Sequence, residues 1–129
     1  MKKLLRLLFS LLLSFNSHAE WFRVGESTAG YVAYFEIDTV KEHGGYVYYW
    51  VMLDYLIPTE DGAMSASRYL QGECEVGRVK TLSMIFYKQP MGKGESETYN
   101  PPPEWDYPAP GSLLGGTTNY VCNYLNQDG

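Results

Sequence analysis

The chain has 129 residues, 10 Lys and Arg against 15 Asp and Glu, a net charge of −5, two cysteines and a 16% share of aromatic residues. That length suits one domain, and the acidic balance makes nucleic acid and anionic membrane surfaces poor partners. Only His43 lies beyond residue 20 as a histidine and no Cys-x-x-Cys occurs, so a Ser/His/Asp set, a Cys/His pair or a metal clamp lacks its parts.

Residues 1–19 read as a secretory signal peptide. Lys2, Lys3 and Arg6 form a basic n-region, residues 7–13 an apolar h-region, and Ser17 and Ala19 the small residues that a signal peptidase reads, with cleavage before Glu20. The apolar run is about ten residues, short of the roughly 20 that cross a bilayer. No Cys sits near the cleavage site, so no lipid-modified N-terminus is expected. Nothing later is long and apolar enough to span a membrane, and the processed chain is expected to be soluble. The short Met-Lys-Lys start points to bacterial export, with the periplasm as the default destination and the cell surface or secretion as alternatives. Removing the leader leaves 7 basic against 15 acidic residues, a net charge of −8, in one domain over residues 20–129.

The next segments are short and β-prone. Trp21, Phe22, Arg23 and Val24 open the processed chain, and the Gly25, Glu26 and Ser27 stretch turns it. Residues 31–37 alternate Tyr31, Ala33, Phe35 and Ile37 against Val32, Tyr34 and Glu36, as a strand does. Residues 38–42 suffice for one helical turn at most. His43-Gly44-Gly45 is a turn. It leads into residues 46–56, nearly all β-branched or aromatic, which read as the longest and most central strand. A hairpin between these two strands is expected.

Residues 57–62 form a loop. Residues 65–75 are a more polar strand carrying Cys74, Val76-Gly77 a tight turn, and residues 78–88 another strand. No connection is long enough for a helical crossover, so the sheet is an antiparallel meander. Residues 91–94, Met-Gly-Lys-Gly, form a glycine loop. Residues 100–110 are proline-dense and are expected to run extended over the surface, outside any sheet interior. Ser112 is a good N-cap for a helix over residues 113–125, with Leu114, Thr118, Val121 and Leu125 on one stripe. Gly115 and Gly116 each weaken it by about 1 kcal/mol relative to Ala.

Cys74 and Cys122 are an even pair in an oxidising compartment, most simply a disulfide that pins the helix to the 65–75 strand. Asp54 is a lone carboxylate without a catalytic partner, and Glu73 and Glu75 flank the disulfide. The glycine loop offers an anion cradle only if its amides are free. The aromatics are the informative surplus. Tyr46, Tyr48, Trp50 and Met52 share one face of the central strand, and Val47, Tyr49, Val51, Leu53 and Tyr55 the other. One helix covers one face. The other is either covered by Trp105 and Tyr107 folding back or presented as an association surface formed by Tyr46, Tyr48, Trp50, Trp105 and Tyr107. A homodimer through the sheet is expected on that basis. No catalytic residue, metal or cofactor is.

Several short patterns then occur in a recognisable order: Trp-x-x-Val at 21–24, Tyr-x-Trp-Val-x-x-Asp-Tyr ending at Tyr55, a Cys-bearing strand with acidic neighbours, Tyr-Lys-x-Pro-Met-Gly-x-Gly at 87–94, Trp105 before Pro-Gly-Ser, and Val-Cys-Asn-Tyr at 121–124. With them the chain resembles the surface-adhesin protein E family of small exported bacterial proteins. The resemblance implies an α+β fold, a twisted antiparallel sheet of about five or six strands with a C-terminal helix tied on by a disulfide. It also implies a non-enzymatic binding protein of the envelope, with a host extracellular-matrix protein or an envelope protein as partner. The alternative is a periplasmic structural or assembly protein without adhesin activity.

Overall fold

The computed structural model describes residues 21–126; the expected leader lies outside the described residues. In chain order these fold as strands β1 (Trp21–Glu26), β2 (Tyr31–Glu36), β3 (Lys41–His43), β4 (Tyr46–Tyr55), β5 (Ser65–Glu73), β6 (Arg78–Gln89), β7 (Lys93–Tyr99) and β8 (Trp105–Asp106), then helix α1 (Leu113–Asn126). Single 3-10 turns sit at Ile37–Thr39 and Pro90–Gly92.

The strands form one antiparallel sheet in the order β1-β2-β4-β5-β6-β7. β3 pairs β4 beyond the end of β2, and β8 pairs β6 beyond the end of β7. The α+β class, the antiparallel sheet and the C-terminal helix agree with the sequence expectation. The strand count does not: eight strands stand where five or six were expected. The additions are short or polar. β3 is three exposed residues, β7 is seven exposed residues of sequence KGESETY, and β8 is two residues inside the proline segment. Neither Trp105 nor Asp106 is a proline, so both keep the N–H that an edge pairing needs.

β4 is central, yet β6 is longer, 12 residues against 10. β2 and β4 pair as expected, but the tight turn joins β3 to β4. Gly44 and Gly45 both take positive φ there, 62° and 84°, which side-chain-bearing residues adopt at a cost. β5 ends at Glu73, two residues earlier than expected, because the turn to β6 closes through a Gly77 N–H to Glu73 carbonyl bond of 2.8 Å. Cys74 therefore lies in that turn.

Helix α1 starts as its sequence predicts. Ser112 Oγ accepts the Gly115 N–H at 3.1 Å and donates to the Ala109 carbonyl at 2.6 Å. Its apolar stripe lies on one face of the sheet. Val121 and Cys122 pack on Phe35, Val47, Tyr49, Val51 and Leu70, with Leu114 and Leu125 at the margin. Each such buried side chain contributes about 1.5–3 kcal/mol. Tyr49 is fully buried, and its hydroxyl meets Thr118 Oγ1 at 2.7 Å across the two layers. The Cys74–Cys122 disulfide closes the far end, with Cα atoms 5.8 Å apart. The turn that ends the proline segment lies so close to the first turn of the helix that a Cβ on Gly115 would collide with the Ala109 carbonyl.

Candidate binding surface

The face of the sheet opposite α1 is built by strand alternation. Side chains directly opposite one another in an antiparallel pair share a face. The register then gives one row across five strands: Lys41 on β3, Tyr48 on β4, Gln71 on β5, Lys80 on β6 and Trp105 on β8. A neighbouring row carries Trp50, Tyr69 and Ser83. On the other flank lie His43 and Tyr46, with Glu73 and Arg78.

These side chains pack on one another. Trp50 and Tyr69 rings lie 4.9 Å apart, Tyr48 and Tyr69 are stacked at 6.2 Å, and Gln71 donates to the Tyr48 hydroxyl at 3.2 Å. Trp105 stacks on Tyr46 at 5.9 Å. Over the Trp105 ring stand the Arg78 guanidinium, 4.0 Å from its centre, and the Lys80 ammonium, 4.3 Å away. Arg78 also pairs with Glu73 at 3.0 Å. The Tyr107 hydroxyl, followed by Glu73, holds the Arg78 guanidinium above its ordinary value.

Of the five aromatics singled out from sequence, Tyr46, Tyr48, Trp50 and Trp105 come together, all half-buried. Trp105 leans on the margin at Tyr46 and leaves Trp50 to Tyr69. Tyr107 is 66% exposed, joins the group only through Arg78, and lines a groove that runs past the disulfide. Met52, which shares the alternation, is fully buried against the Pro90–Gly92 turn near Gly92. Sequence reasoning missed Tyr69, Lys41, Arg78 and Lys80 as members of this face. The polarity of residues 65–75 hid the period-two placement of Tyr69, and the cations join only through strand pairing.

The remaining polar candidates serve the fold. Asp54 Oδ1 accepts the Met91 N–H at 2.9 Å, and Ser65 Oγ accepts the Gly92 N–H at 2.9 Å. The glycine loop thus turns both amides onto the protein's own oxygens, which removes the anion cradle. Met91 takes φ 59° to make that turn. His43 ends β3 beside the glycine turn. Among the described residues no three His, Cys, Asp or Glu side chains gather as metal ligands, and no helix is long and apolar enough to cross a membrane.

An open antiparallel sheet, backed by one disulfide-tied helix and carrying aromatics and cations on the face away from it, defines a small α+β sheet protein. The model of the surface-adhesin protein E family matches residues 21–123, and the chain belongs to that family. Solved structures of Haemophilus influenzae protein E share the fold. Its crystal form II has a TM-score of 0.67 at 13% identity, over 86% of this chain and 93% of that one. A second protein E structure gives 0.60 at 14% identity, over 83% and 96%. Protein E from non-typeable Haemophilus influenzae gives 0.60 at 13% identity, over 86% and 81%. No curated protein matches the chain.

Proposed function

We propose that this is an exported, non-enzymatic adhesin-like protein that binds a protein or extracellular-matrix ligand through the Tyr46, Tyr48, Trp50, Tyr69 and Trp105 face. Family membership supports the adhesin class. The observation that carries the surface is the row from Lys41 to Trp105, which sets aromatic and cationic side chains side by side on the face away from α1. Aromatic rings supply large contact area at low entropy cost, and Tyr, Trp and Arg dominate the energetics of interfaces. The same row gives a locally basic strip on an acidic chain, which favours acidic segments of a partner.

Solid-phase binding of the protein to a panel of extracellular-matrix proteins tests this. A Trp50→Ala, Tyr69→Ala double variant with an unchanged far-ultraviolet circular dichroism spectrum is expected to lose at least about ten-fold in affinity, the effect of one modest hot spot. Equal binding by the double variant ends the assignment of this face. Export and placement are read separately on intact cells. Protease-accessible protein supports a surface adhesin, and release by osmotic shock supports the periplasmic alternative.

A further inference from the structure

Arg68 lies on the helix-covered face, opposite Val51 of β4 and Met84 of β6. One Nη donates to Thr81 Oγ1 at 2.6 Å, while its Nε is buried without a partner. The ion pairs among the described residues are Arg23–Glu26 and Arg78–Glu73, so Arg68 has no carboxylate. A guanidinium does not deprotonate in a protein, so neutralisation offers no relief. A half-buried charge in this position is stabilised by an anion that brings its own acceptors.

A cavity of about 280 Å³ opens onto this side chain. Arg68 and Thr81 line it together with Met84, Pro101 and Pro102, which give apolar wall, and the carboxylates of Glu104 and Asp106. Asp106 is held there by the pairing of β8 with Val79. The charges select the ligand. Two carboxylates disfavour a simple anion such as phosphate, and Arg68 disfavours a simple cation. A ligand carrying both signs a few atoms apart satisfies both kinds of group. The volume sits at the lower limit for small-molecule sites, which suits a single residue-sized ligand rather than a peptide.

We propose that this cavity binds a free α-amino acid with an apolar side chain. Arg68 takes the carboxylate in a forked contact, helped by the Thr81 hydroxyl, whose proton is free because its oxygen accepts from Arg68. Glu104 and Asp106 take the ammonium, and the side chain lies on Met84, Pro101 and Pro102. The site is on the other side of the sheet from the aromatic face and is independent of adhesion.

Nuclear magnetic resonance titration with three probes tests it: leucine, 4-methylpentanoate, which lacks the ammonium, and 3-methylbutylamine, which lacks the carboxylate. Saturable shifts at residues 68, 81, 84 and 101–106 are expected with leucine at millimolar concentration, and about ten-fold weaker binding with each single-charge probe. Arg68→Met is expected to abolish leucine binding. Should that variant fail to fold, the exposed pair Glu104→Gln, Asp106→Asn decides. It is expected to lose the preference for leucine over 4-methylpentanoate. No saturable shift with leucine, or leucine binding unchanged in the acid-to-amide variant, overturns the proposal.

Discussion

Tyr49 and Trp50 are neighbours in sequence and opposites in role. Tyr49 points under α1, where burial foremost pushes its phenol up to about 12, against the lowering effect of its Thr118 hydrogen bond. Its folded-state value therefore lies above the ordinary value near 10. That stabilisation is complete below about pH 10 and is lost as the pH climbs towards 12, a loss of about 3 kcal/mol at 1.4 kcal/mol per unit. Alkaline denaturation should show this limb, and Tyr49→Phe should remove most of it while costing about 1 kcal/mol at neutral pH for the missing hydrogen bond. Trp50 points the other way and is half-buried on Tyr69. Trp50→Ala should cost roughly 1–2 kcal/mol, well below the roughly 3–5 kcal/mol for Tyr49→Ala, because no closed cavity is left behind. Urea unfolding of the two variants checks the order. Equal losses would place Trp50 in the core.

Two glycines at the start of α1 separate element from context. By helix propensity alone, Gly115 and Gly116 look equally replaceable. In the fold, Gly116 has open space where a Cβ would go, and Gly115 lies beneath the Ala109 carbonyl. Gly116→Ala should stabilise the protein by up to about 1 kcal/mol. Gly115→Ala should destabilise it by roughly 1–3 kcal/mol as strap and helix are forced apart. Thermal unfolding reads both, and a stabilised Gly115→Ala protein would mean that the Ala109 carbonyl does not sit against the helix there. The helix itself was legible in sequence because Ser112 and the stripe from Leu114 to Leu125 act locally. So was β4, from its unbroken aromatic and β-branched run. β3, β7 and β8 were not legible, because an exposed edge strand needs no hydrophobic alternation and is defined by its neighbour's unpaired groups. The aromatic face was half legible for the same reason. Tyr46, Tyr48 and Trp50 lie on one strand, whereas Tyr69, Lys80 and Lys41 join them only through register. Arg68 gave no signal, since nothing in a polar strand shows which residue falls under the helix layer.

At the scale of the molecule, two layers are joined by one covalent bond. The cysteines are 48 residues apart, and closing such a loop restricts the unfolded chain by about 4 kcal/mol. Replacing either with Ser should therefore lower stability by roughly 2–5 kcal/mol in denaturant unfolding. β1 and β7 bound the sheet, each with one side unpaired by another strand of the sheet. The homodimer expected from sequence would form through these edges or the aromatic face. Sedimentation at micromolar concentration is expected to show a dimer that Trp50→Ala shifts toward monomer if the face is used, and a clean monomer removes self-association.

The same bond governs how the protein yields to force. Pulled from its two ends, the oxidised chain can lengthen only through residues outside the Cys74–Cys122 loop. β6, β7, β8, the proline strap and most of the helix lie inside that loop, shielded from extension while the disulfide holds. At about 3.4 Å per residue the shielded 48-residue span hides roughly 160 Å of contour. Single-molecule stretching should reveal that length only after reduction. A chain loaded at its two ends would in this way surrender β1 to β5, the central β4 among them, while the closed disulfide loop keeps the remainder short.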